Sequence, residues 1–76
     1  MSVEEVKYEI IELLGQLSQT PGGWAKELNL ISWNGGEPKY DLRQWSPDHT
    51  KMGKGISLSR EEAQTLMELL SKWLPK

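Results

Sequence analysis

The last twenty residues, "SLSREEAQTLMELLSKWLPK", constrain this chain more than any other stretch. Ser59 stands three residues before Glu62, the spacing at which a serine caps a helix and the glutamate bonds back to the serine N–H. Ala63, Leu66, Met67, Leu70, Trp73 and Leu74 then recur at helical spacing on one side, and Pro75 marks the end. A helix with one apolar stripe has to lay that stripe on another layer. Whatever precedes it, or a second chain, must supply the cover.

The rest of the chain offers little to build that cover from. With 76 residues in one domain, much of the surface stays exposed and the core is marginal. There is no cysteine, and His49 is the one histidine, so neither disulfides nor a structural zinc can hold the fold together. Partner subunits are the remaining common remedy, and a homo-oligomer is expected. The N-terminal "MSVEEVKYE" is acidic where a secretory leader would be basic, and no apolar run approaches the roughly 18 residues of a membrane span. Both features point to a cytoplasmic protein, nucleoid association included.

Ahead of the helix the punctuation is that of strands and turns. "TPGGW" (Thr20 to Trp24) and "NGGEP" (Asn34 to Pro38) are rich in residues that accept φ > 0 or fix φ. Between them "WAKELNLISWN" has the length of a strand. "KYDLRQW" alternates, with Tyr40 and Leu42 on one side and Asp41, Arg43 and Trp45 on the other. "GISLS" puts Ile56 and Leu58 inward and Ser57 outward, then runs straight into the cap. The first segment, "EVKYEIIELLGQLSQ", is ambiguous. Val3, Val6, Ile10, Leu13, Leu14 and Leu17 fit a helix; as a strand, Tyr8, Ile10 and Leu14 share a face and Gly15 marks a bulge.

The net charge of −2 hides an uneven distribution. Residues 35–60 carry Lys39, Arg43, Lys51, Lys54 and Arg60 against Glu37, Asp41 and Asp48, and residues 1–20 are acidic. The basic middle also holds Trp33 and Trp45. Local sign matters more than the total for a ligand that touches one face. Each of these residues has a plainer reading as well. Arg43 can pair with Asp41 or with a glutamate of the first strand; Trp24 and Trp73 suit packing; Lys51 and Lys54 suit a solvated loop; His49 suits a turn. An enzyme would need converging groups, and Ser46, Asp48 and His49 crowd one tight turn where they cannot converge as a triad. "GKGIS" lacks the glycine spacing and the Lys-Ser/Thr of a phosphate loop. No enzyme activity, cofactor or metal is expected. A protein-interaction module without nucleic-acid binding is the alternative class.

The order "SWN…PKYDLRQW…KMGKGISLS", followed by a capped amphipathic helix, resembles the positive cofactor four family of transcriptional coactivators, and within it the bacterial YdbC-like branch. The likeness runs from about Tyr8 to the C-terminus, and "YDLR", "WSPDH" and "KMGKGISLS" carry most of it. The resemblance implies an α+β fold, a four-stranded antiparallel sheet followed by one C-terminal helix (β-β-β-β-α). It implies a homodimer through the helices, with Leu66, Leu70 and Trp73 at the interface. It reads the ambiguous first segment as a strand, giving strands over about 7–19, 24–34, 38–46 and 55–58 and a helix over about 60–74.

It also implies sheet surfaces with grooves for single-stranded DNA, in transcription regulation or in replication and repair. Arg43 matches a basic position on the family's nucleic-acid face, Lys54 the basic residue before a glycine, and Trp33 the aromatic at the hairpin. In the eukaryotic members the stacking tryptophan lies one position further from the arginine than Trp45 does. In the strand reading Lys39, Arg43 and Trp45 share one side, Lys51 and Lys54 flank it from the following loop, and Lys26 is a candidate from the second strand. Cations would track phosphates while indoles stack on unpaired bases, each stacked base contributing about 1–3 kcal/mol whatever its identity. Such contacts do not read the 2′-OH, so RNA remains open as a ligand beside DNA. No recognition helix for duplex base edges is visible.

Overall fold

The computed structural model describes residues 7–75. Four strands, β1 (Tyr8–Gln19), β2 (Ala25–Trp33), β3 (Lys39–Trp45) and β4 (Met52–Leu58), precede one helix, α1 (Arg60–Trp73). The strands form an antiparallel meander in the order β1-β2-β3-β4. The expected α+β architecture is what the chain adopts. Val3 and Val6, which favoured a helical start, lie outside the described residues.

Each connection follows from its residues. Thr20 to Gly23 closes the first hairpin, with the Gly23 N–H donating to the Thr20 carbonyl at 2.9 Å. In the second, Asn34 and Gly35 take φ of 51° and 73°, and the Gly36 N–H donates to the Trp33 carbonyl at 2.8 Å. Two successive positive φ values make a type I′ turn, whose twist matches that of the flanking strands and which Asn-Gly adopts at low cost. At the helix start the Glu62 N–H donates to Ser59 Oγ (3.0 Å) and the Ser59 N–H donates to Glu62 Oε1 (2.8 Å), closing the capping box.

β1 explains its own ambiguity. Its ladder with β2 breaks register between Ile10 and Glu12, between Leu13 and Gly15, and between Gln16 and Ser18. Each break inserts one extra residue and resets which face follows. The residues opposite Ile31, Asn29, Glu27 and Ala25 are therefore Ile10, Leu13, Gln16 and Gln19, a recurrence of three instead of two. A strand bulged this often carries a pattern close to a helix period, which is why periodicity alone misreads it.

The bulges also bend the sheet. Tyr8 pairs with Trp33 at one end of β2, and Trp45 pairs with Ala25 at the other end. Eight residues of flat strand would hold those sites roughly 26 Å apart. Yet the Tyr8 and Trp45 rings lie 5.6 Å apart. The sheet curls around the face bearing Ala25, Glu27, Asn29, Ile31, Asp41 and Trp45, all of them buried. The core thus lies on the concave side, away from the helix.

The convex side carries Leu28, Tyr40, Leu42 and Leu58, none of them fully buried. α1 touches only β3 and β4, and none of its residues is buried. Between the helix and the sheet an open apolar groove of about 660 Å³ is lined by Leu17, Leu28, Leu42, Leu58, Leu66 and Leu70, among others. Ile56, expected to face inward, pairs with Leu42 on this side yet is 55% exposed, because none of the described residues covers it. Among the described residues no helix is long and apolar enough to cross a membrane.

Candidate nucleic-acid interface

The concave face is polar at its centre and aromatic at its rim. Register sets this directly: Glu27 sits opposite Arg43, Asn29 opposite Asp41, and Ala25 opposite Trp45, so side chains of β2 and β3 meet in pairs on one side. β4 adds Ser57 opposite Asp41 and Gly55 opposite Arg43.

Arg43 and Asp41 form the best-defined contact of this face. Arg43 Nε donates to Asp41 Oδ1 at 2.6 Å and Nη2 donates to Oδ2 at 2.9 Å, a two-pronged pairing. Ser57 Oγ donates to the same Oδ2 at 2.9 Å, and Arg43 Nη1 reaches the Gly53 carbonyl at 3.4 Å. The Asp41 side chain is fully buried and that of Arg43 is 15% exposed. Of the readings open from sequence, pairing with Asp41 is the one observed, so Arg43 is no free cation. Its guanidinium carbon lies 4.8 Å from the centre of the Trp33 ring, a cation–π contact.

The two tryptophans have different fates. Trp33 is half-buried, with Arg43 over its ring and Tyr8 beside it at 5.7 Å. Trp45 has no exposed surface: His49 stacks on it at 4.8 Å with planes 8° apart, and Tyr8 approaches at 5.6 Å. The expectation that Trp45 offers an open stacking platform is corrected here. The sheet's curl turns that end of β3 inward, so the same-side alternation that pairs Trp45 with Arg43 leads into the core. The indole nitrogens of Trp33 and Trp45 and Asn29 Oδ1 are buried without a hydrogen-bond partner among the described residues.

The lysines also separate. Lys39 is exposed and opposite Ile31, on the concave side's edge. Lys26, the candidate from the second strand, is exposed but pairs with Gln44, so it emerges on the convex side, away from Arg43. Lys51 is exposed in the β3–β4 connection. Lys54, read from sequence as loop, lies inside β4 and is exposed. β4 starts at Met52 because Gly53 to Gly55 continues the ladder despite poor strand propensity, across a register break opposite Arg43 to Trp45.

Three participants escaped sequence reasoning. Tyr8 closes the aromatic cluster from β1. Glu27 accepts from Asn29 Nδ2 (3.2 Å) and pairs with His49 Nε2 (3.0 Å), tying the β3–β4 connection to β2. The alternation "AKELN" could have shown it: Glu27 and Asn29 share a face with Ala25 and Ile31, while Leu28 and Leu30 take the other.

The connection itself is held by Asp48. Its Oδ1 accepts from Thr50 Oγ1 (2.7 Å), Thr50 N–H (3.1 Å) and Ser46 Oγ (2.9 Å). The Thr50 hydroxyl and N–H, then the Ser46 hydroxyl, hold its carboxyl down from 3.8 to about 2. A depressed carboxylate contributes stability above its ordinary value and loses it as pH falls through the folded value. Asp48→Ala is therefore expected to flatten the fall in melting temperature from pH 4 to pH 2 relative to the parent; parallel curves would remove this role. Among the described residues no three His, Asp or Glu side chains group as a metal site.

A family model described as Transcriptional Coactivator p15 (PC4) matches residues 21–69, from the first hairpin turn through most of α1. The chain belongs to this family. The coactivator family is one of nucleic-acid-binding, non-enzymatic proteins. Its match takes in the Asp41–Arg43 pair, Trp33 and the glycines of β4, and leaves the bulged β1 outside. An uncharacterized protein of Treponema pallidum (strain Nichols) is 48% identical over 68 residues, 90% of this chain and 80% of that protein.

Proposed function

We propose that this member of the coactivator family binds single-stranded DNA without sequence preference, as a homodimer, in bacterial transcription regulation or in replication and repair. The observation that carries the reading is family membership joined to a partly exposed Trp33 at the rim of the face where Lys39 stands, with Lys51 exposed in the connection to β4. Unpaired bases need an aromatic surface beside cations, and Trp33, unlike Trp45, keeps part of its side chain exposed on this face. Trp45 now supports the cluster from beneath. Nothing in these contacts selects the sugar, so RNA is a weaker or equal ligand of the same surface.

Titration with oligo-dT at low salt is expected to quench tryptophan fluorescence, with log K falling against log salt by about 0.7 per phosphate neutralised. A duplex of equal length binds more weakly. Quenching absent with oligo-dT and present with unrelated peptides would favour a protein-interaction module instead.

The homodimer rests on the helix. Leu70 is 45% exposed and Trp73 73% exposed in the single chain, and the apolar groove beside them lacks a cover. A chain this small gains most of its missing core by covering that groove with a second copy. Sedimentation at micromolar concentration is expected to give a dimer for the parent and a monomer for Leu70→Glu. A monomeric parent would remove the dimer from the proposal.

A further inference from the structure

We infer that Arg43 neutralises no phosphate and acts instead as a positioning residue, a brace that Asp41 locks in place and that fixes the plane of Trp33. The inference rests on the single-strand reading for its ligand but on the geometry for its mechanism. A guanidinium that contacts a phosphate directs its paired N–H groups outward. Here Nε and Nη2 are both taken by Asp41, and Nη1 lies near the Gly53 carbonyl and, at 3.5 Å, Met52 Sδ. Asp41 is equally occupied, with Ser57 Oγ sharing the oxygen that Nη2 reaches. The pair is closed in charge, and the two N–H groups that would fork onto a phosphate already point at Asp41.

What Arg43 has left is its flat face, and that face meets the Trp33 ring at 4.8 Å. Trp33 follows directly into the Asn34–Gly35 turn, at the end of β2, where a side chain without a backing surface would turn freely. Backed on one face by the guanidinium and touched by Tyr8, the indole is held in a single plane before any base arrives. Pre-ordering a rotamer-rich side chain in this way is a gain of about 3- to 10-fold in affinity.

Salt dependence separates the brace from a phosphate contact. Lys39→Ala is expected to lower the slope of log K against log salt for oligo-dT by about 0.7, the share of one phosphate. Arg43→Gln is expected to weaken binding about 3- to 10-fold with the slope unchanged. Arg43→Lys keeps the charge and loses the fork, so it too weakens binding at unchanged slope, and it serves if the glutamine variant fails to fold. A slope lowered by Arg43→Gln as by a lysine variant, or parent affinity in Arg43→Lys, overturns the inference. In the free protein Trp33→Leu is expected to move the Arg43 Nε–H proton resonance by the loss of the indole ring current, leaving only the shift set by its Asp41 bond. A resonance unchanged by Trp33→Leu overturns the brace whatever the ligand. Failure of the parent to bind oligo-dT would sink the single-strand reading and leave the brace to that resonance.

Discussion

Asp41→Ala is expected to remove about half of the folding free energy of this chain. Removing one partner of a buried pair leaves the other charge uncompensated and costs about 3–5 kcal/mol. A chain of 76 residues has a total of about 4–11 kcal/mol to lose. Asp41 is fully buried and Arg43 nearly so, and Ser57 would lose its acceptor as well. Urea unfolding monitored by tryptophan fluorescence measures the loss. The double variant Asp41→Ala/Arg43→Met leaves no orphaned charge and is expected to recover at least half of it. A single variant within 1 kcal/mol of the parent (about fivefold in the unfolding constant) would show the pair to be far wetter than its burial indicates.

Gly55→Ala is the second large effect, and it has an internal control two residues away. A Cβ at Gly55 would overlap Arg43 Cβ and the Leu42 carbonyl oxygen and lie 2.9 Å from Arg43 Cα. These are mainly backbone neighbours, which cannot rotate aside, so β3 and β4 must separate beside the Arg43–Asp41 pair. Overpacking costs about 1–3 kcal/mol as a rule, and backbone neighbours that cannot rotate aside put Gly55→Ala at the upper end. At Gly53 the nearest neighbour is Gln44 Cβ at 3.5 Å, an ordinary contact, and alanine there is expected to be nearly neutral. Equal melting temperatures for the two alanine variants would contradict the close approach at Gly55. The effect would also reach Trp33, since the brace beneath it is the side chain that Gly55 lets through.

Much of this was legible in the residues. The capping box at Ser59 and Glu62, the Asn34–Gly35 turn and the alternation of "KYDLRQW" each act locally, and local chemistry reads directly from sequence. Two things were not legible. The bulges of β1 replace the strand period of two by three, so Ile10 and Leu13 fall where a helix would also put them. Likeness to a family, which carries long-range pairing, resolved what periodicity could not. The curl of the sheet is likewise a property of four strands together. It decides that Trp45 lies inside while Trp33 stays at the rim, although both sit on the face Arg43 occupies. Alternation predicts the side of a sheet and is silent on whether that side is open. Lys26, one step of parity from Ala25 and Glu27, stands on the other side of the sheet.

The interrupted ladder of β1 has one more consequence, at its outer edge. Among the described residues no strand pairs with that edge, and Ile11, Leu13, Leu14 and Leu17 beside it are all more than 40% exposed, a combination that ordinarily recruits further strands into fibrils. Between register breaks the regular stretches are two or three residues long. An incoming extended segment needs an even row of donors and acceptors to zip along, and here it meets an offset after every few bonds. The same irregularity that disguises the strand as a helix keeps identical molecules from stacking edge to edge.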